Sequence, residues 1–126
     1  MVINFNPKYI PGDIVYNHKK EIIRITSSYL KGTKLFYYRD GECGWIREDA
    51  IKPILLTPEI LEKNGWRKEE ENYFNDSYHI FLECKYEKYS AYKVVHNNVV
   101  WLRDVRSVSD LQHLLFGIGI NHEMEV

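Results

Sequence analysis

The side chains able to do acid–base, nucleophilic or metal chemistry are spread along this chain rather than gathered. The five histidines, His18, His79, His96, His113 and His122, fall in separate segments, with no H-x-x-x-H or H-E-x-x-H spacing. His122 with Glu123 and Glu125 is the densest donor group, and nothing in its spacing fixes a metal geometry. Cys43 and Cys84 stand alone in different halves, without C-x-x-C spacing, and are expected to be free thiols. No glycine-rich dinucleotide loop, Walker loop or G-x-S-x-G elbow is present. The expectation is therefore a non-enzymatic chain that carries no cofactor and no metal.

Two groups of residues could bind rather than react. Tyr29, Tyr37, Trp45 and Arg47 are candidates for a partner-binding surface, because aromatic faces beside a guanidinium suit a peptide, a base or a nucleotide. Their competing reading is that they fill or cover a small barrel. Lys93, Arg103 and Arg106, with Tyr92, Trp101, Ser107 and Ser109, are candidates for a ligand site. Ser107 and Ser109 lie where a helix should begin, and free N–H groups there favour anions such as phosphate. The competing reading is a solvated cationic strand face and an ordinary helix cap.

These residues have to be positioned by short elements. The chain has 126 residues, 44% hydrophobic and 28% charged, enough for one compact domain or two very small ones sharing a core. A net charge of -1 gives no field for wholesale binding to nucleic acid or to an anionic membrane. No apolar run reaches the length of a membrane span and the N-terminus does not read as a signal peptide, so a cytoplasmic location is expected. Aromatics reach 14%, with ten tyrosines, which suits binding surfaces as well as sheet cores.

The fold class expected is α+β, in two parts spanning residues 1–56 and 57–126 and packed as one unit. After Met1 to Ile10, which should wrap the surface, Ile14–Tyr16, Glu21–Ser27, Lys34–Tyr38, Trp45–Arg47 and Ile51–Leu56 read as five short strands. Asp40-Gly41 supplies a hairpin signal between the third and fourth. Opening on Pro11-Gly12-Asp13 and closing on Ile51-Lys52-Pro53-Ile54, this half resembles a five-stranded SH3-like barrel. Thr57, Pro58 and Glu59 then open a short central helix that Asn64-Gly65 closes. Ile54, Leu55, Ile60 and Leu61 offer apolar surface in both directions, so the segment from Ile51 to Arg67 is expected to be a wall shared by the two halves rather than a tether.

Beyond it, Trp66–Lys68, Asn72–Phe74, Tyr78–Tyr86, Ala91–Val95 and Val99–Arg103 read as an antiparallel meander, with Asn97-Asn98 as its last two-residue turn. In Tyr78–Tyr86 the alternation sends Tyr78, Ile80, Leu82, Cys84 and Tyr86 to the core and His79, Phe81, Glu83 and Lys85 outward. A final helix starts at Ser107 or Ser109. Its apolar stripe is Val108, Leu111, Leu114, Leu115 and Ile118, leaving Ser109, Asp110 and His113 outside. Residues Ile120 to Val126 form a tail or a short edge strand.

The run I-K-P-I-L-L-T-P-E-I-L-E-K-N-G-W, with the ending V-S-D-L-Q-H-L-L, resembles a family of small uncharacterised proteins from phages and integrated mobile elements of Bacteroidales. That family's ending usually reads Val-His-x-Leu-Gln, and Ser109 stands here in place of the histidine. The resemblance implies a mobile-element setting and no chemistry. Three functions are compatible with the sequence: a binding or adaptor protein acting on a host or phage protein or through self-association; an anti-defence protein that sequesters a nucleotide or cyclic-nucleotide signal; and, less favoured at this charge, a single-stranded nucleic-acid binder.

Overall fold

The computed structural model describes residues 8–41, 44–86 and 88–126. The expectations for Met1 to Pro7 and for Cys43 lie outside the described residues. Among the described residues the chain forms two antiparallel sheets and two α-helices, as an α+β chain should. The first sheet runs β1 (Ile14–Tyr16), β2 (Ile22–Lys31), β3 (Lys34–Arg39) and β4 (Trp45–Arg47) in sequence order. A single 3₁₀ turn at Glu48–Ala50 follows, then α1 (Pro58–Lys63). The second sheet runs β5 (Arg67–Glu69), β6 (Asn72–Asn75), β7 (Ile80–Lys85), β8 (Lys88–Val95) and β9 (Asn98–Val105), and α2 (Val108–Gly117) covers one of its faces.

The five-stranded SH3-like barrel does not form; the first sheet has four strands. Residues Ile51 to Leu56 lie extended but do not join it as a strand, because Pro53 has no N–H to donate to a ladder. They act instead as a strap. At one end Lys52 exchanges two backbone hydrogen bonds with Tyr16 of β1, both 2.9 Å. At the other, Leu56 N–H donates to Arg106 C=O and Ile54 C=O accepts from Val108 N–H, which ties the strap to the start of α2. Leu55 points away and is 65% exposed, so it is not part of a shared wall.

Two cores result. The smaller holds Tyr9, Val15, Ile23, Ile25, Tyr37 and Ile51. The larger lies between α2 and the second sheet, with Ile54, Leu56 and Leu61 from the strap and α1, and it also takes in Ile14. Period-two alternation in β1 thus sends Ile14 to one core and Val15 to the other. Helix α1 is capped as expected: Thr57 Oγ1 accepts from Ile60 N–H, Pro58 opens the first turn, and Gly65 takes φ +85° beyond Asn64. Asn64 does more than cap, since its amide side chain also bonds the backbone of Glu125 in both directions. That anchors the tail, whose Met124 is buried; the tail forms no strand.

Alternation in β7 holds at its centre, where Ile80 and Leu82 are fully buried, and fails at its ends. Tyr78 and Tyr86 lie in turns outside the strand and are exposed. The turn between β8 and β9 sits one residue earlier than Asn97-Asn98. Val95 pairs with Asn98, and His96 and Asn97 take the two positive-φ positions of the loop. In α2 the capping box at Ser107 and Asp110 is present, but Ser109 and Gln112 are buried, while Ile118 lies past the last turn and is exposed. Gln112 holds the two halves together: Oε1 accepts from Ile14 N–H at 2.9 Å, and Nε2 donates to Gly12 C=O at 2.8 Å and to His122 C=O at 3.0 Å.

Buried tyrosines make the fold alkali-sensitive. Burial, with the Glu48 carboxylate hydrogen-bonded to its hydroxyl, pushes the Tyr37 phenol far above its ordinary range. Burial first, then the charges of Cys84, Tyr73 and Glu59, pushes Tyr89 up to about 12. The unfolded chain ionises these phenols near pH 10 while the native chain keeps them neutral, so their contribution is whole below about pH 10 and is lost as the pH rises. Thermal melts should show Tm falling from about pH 10 upward, with a shallower fall in Tyr89→Phe; a flat Tm across that range would contradict the assignment.

Candidate functional site

The ligand candidates read from sequence converge in part: Arg106, Ser107 and Ser109 line one cleft at the start of α2, whereas Lys93, Tyr92 and Trp101 lie elsewhere on the second sheet. Around the start of α2 four backbone donors are already used: Asp110 Oδ2 accepts from Arg106 and Ser107 N–H, Ser107 Oγ accepts from Asp110 N–H, and Val108 N–H goes to Ile54. The Asp110 carboxylate takes the two N–H groups just ahead of the helix and places a negative charge at its start. Arg103 Nη2 stands 3.7 Å from Asp110 Oδ1, and Ser109 Oγ lies 3.2 Å from Ser107 Oγ. Lys93 sits in register between Ile80 and Val100, on the helix side of the sheet, whereas Tyr92 and Trp101 face the opposite side.

That half-open cleft has a volume of about 290 Å³, with Tyr9, Pro53 and His113 in its walls beside Arg106, Ser107 and Ser109. Behind it His113 Nε2 and the fully buried Asp13 Oδ2 are 2.5 Å apart, and Ile10 N–H donates to the same oxygen at 2.9 Å. His113, expected outside, is therefore a tie between α2 and the segment before β1. His122 packs edge-on against Phe116, and no group of three or more metal-ligating side chains occurs among the described residues. Cys84 is a half-buried free thiol on the core side of β7.

The partner candidates divide by strand alternation. Tyr37 is not on the surface: it is fully buried, accepts from Lys8 and Tyr9 N–H, and donates to Glu48 Oε2 at 2.6 Å. Its neighbours Phe36 and Tyr38 turn the other way. Through the register Tyr29–Phe36–Arg47 and Ser27–Tyr38–Trp45, the outer face of the first sheet carries Tyr29, Trp45 and Arg47. Trp45 stands edge-on over Phe36 with centroids 3.9 Å apart, Lys31 lies 5.9 Å from its ring, and Arg47 is held by Asp49 at 2.8 Å. On this face Tyr29 and Trp45 remain 44% and 45% exposed.

The most ordered surface feature was not foreseen. On the second sheet, away from α2, Arg67, Phe74, Phe81, Tyr92 and Trp101 are successive register partners, one from each of the five strands. Phe74, Phe81 and Tyr92 stack with centroids 5.4 and 5.0 Å apart, and the Arg67 guanidinium caps Phe74 at 5.0 Å. Each stacked pair is worth about 0.5–1.5 kcal/mol beyond its burial. Because the ring faces cover one another, the row offers solvent a ridge of ring edges, ending at the 58% exposed Trp101.

A second complete row, Glu69–Asn72–Glu83–Ser90–Asp104, runs alongside and is polar and acidic. Arg67 and Lys88 pair with Glu69 and Asp104 respectively. The hydrogen bonds of Ser90 and Lys88 hold the Asp104 carboxyl below the usual carboxylate range. Glu83 joins Glu70 and Glu71, with Lys85 beside them, around a recess of about 550 Å³. The signal in the sequence was Phe81, an aromatic in the outward set of β7. Its alignment with three further aromatics depends on the bulge between Ala91 and Tyr92, which sets Trp101 opposite Tyr92.

Fold and surface together define an α+β protein with one helix-covered and one open face on its larger sheet, the open face carrying parallel aromatic and acidic rows. No protein-family model, curated protein or solved structure matches the chain. None of its described helices is long and apolar enough to cross a membrane.

Proposed function

We propose that this is a non-enzymatic binding protein of a mobile element whose open sheet face docks a basic segment of a partner protein. The observation that carries this reading is the pair of adjacent rows. The aromatic ridge supplies apolar area at little entropic cost, since stacking already fixes its rotamers. The acidic row and the Glu70–Glu71–Glu83 recess accept lysine or arginine side chains. Self-covered ring faces and neighbouring carboxylates make the same surface a poor platform for nucleic-acid bases, which stack on open rings beside cations.

Fluorescence anisotropy with a labelled peptide alternating Lys or Arg with Leu tests it. The peptide should bind with an affinity that falls with salt, and Glu83→Lys and Phe81→Ala should each weaken binding about tenfold. Equal binding of a Glu-for-Lys peptide, or no binding by the unmodified protein, would overturn the proposal.

A further inference from the structure

We infer that the chain forms a two-fold dimer by antiparallel pairing of β9 with β9 of a second copy, which would extend the sheet to ten strands. β9 is an edge strand, so alternate N–H and C=O groups along it point away from β8. The edges of the molecule are not treated alike. β5, the opposite edge of the same sheet, is three residues long and each is charged: Arg67, Lys68 and Glu69. In the first sheet, β1 is covered by the Lys52 bridge and β4 has three residues. β9 has eight residues, and its first four, Asn98–Val99–Val100–Trp101, carry no charge.

Those four residues are also apolar where they meet solvent. Val99, Val100 and Trp101 are 57%, 47% and 58% exposed, an uncommon exposure for a regular edge. Charge begins again at Arg103, beyond the bulge that ends the regular part of the strand. The window is therefore long enough to pair, unguarded, and complementary to itself.

Geometry selects the register. A two-fold axis normal to the sheet keeps each face on its own side, so residues facing one another across it must share parity. Placing the axis at Val100 sets Val99 opposite the second copy's Trp101, an aromatic–β-branched pair on the open face, and Val100 opposite its own copy. No like charges meet in this arrangement. The lack of charge also argues for a second copy over a charged partner, which would gain nothing at this edge. The two aromatic rows then lie side by side on one continuous face.

Sedimentation velocity from low-micromolar to near-millimolar concentration tests the dimer. The unmodified protein should show a concentration-dependent dimer, and Val100→Lys, which sets two ammonium groups face to face, should weaken it about tenfold or more. An equimolar mixture of Val100→Lys and Val100→Glu should associate where each variant alone stays monomeric. Tyr86→Lys, at an 86% exposed turn position away from the edge, should change nothing. A protein monomeric throughout, a Val100→Lys dimer as tight as the original, or a mixture that fails to associate would overturn the inference.

Discussion

Replacing Gln112 with alanine is expected to lower the unfolding free energy by about 3 kcal/mol. The side chain is fully buried and satisfies Ile14 N–H, Gly12 C=O and His122 C=O at once. Ile14 N–H, the buried one of the three, costs roughly 1–3 kcal/mol when left without a partner, and the part-buried carbonyls of Gly12 and His122 add smaller losses. Two of the three lie in the segment entering β1, so the change should loosen the attachment of the first sheet to α2 before it disturbs the α2 core. Gln112→Met preserves the volume and removes all three hydrogen bonds. It should fall about as far as the alanine variant in urea denaturation; a Met variant within about 0.5 kcal/mol of the original protein would mean that packing, not bonding, is what the residue contributes.

Leu61→Asp is expected to unfold both halves together. Leu61 is fully buried on α1, in the core that also holds Ile14 of β1, Ile54 and Leu56 of the strap and the buried face of α2. A carboxylate there has no partner, and its desolvation costs several kcal/mol, a large part of the roughly 5–15 kcal/mol a domain of this size has. The gentler Leu61→Ala, costing about 2–5 kcal/mol, leaves a folded population in which cooperativity can be measured. Trp45 reports on the first sheet and the buried Trp66 on the larger core. Their signals should share one denaturation midpoint. A first sheet that stays native while Trp66 becomes exposed would show the halves to be independent.

The features that were legible in the sequence are those governed by contacts a few residues apart. Thr57, Pro58 and Gly65 bound α1, and the Ser107–Asp110 box opens α2, because a helix end is satisfied within one turn. The inward pair Ile80 and Leu82 followed from period two alone. Pro53 carried the information that the strap would not be a strand, yet its apolar run outweighed that signal. Tyr37 is not placed by its local sequence, because a tyrosine's polar tip suits either surface or core. Only the Lys8–Tyr9 backbone and Glu48, brought in from far along the chain, satisfy its hydroxyl and keep it inside.

The candidate site was less legible than the fold. Trp101 and Tyr92 lie together on the open face, but Lys93 and Arg103, close to them in sequence, are sent to the opposite face by alternation and the bulge in β9. Sequence alone established the helix caps, most of the strand segments and the enrichment in aromatics, all set by composition and short-range periodicity. Tertiary structure placed four of those aromatics in a single row beside an acidic one, buried Gln112 between the halves, and left the uncharged end of β9 at an edge. Register, sheet order and edge position arise from turns and bulges summed over distant strands, and no local pattern encodes that sum.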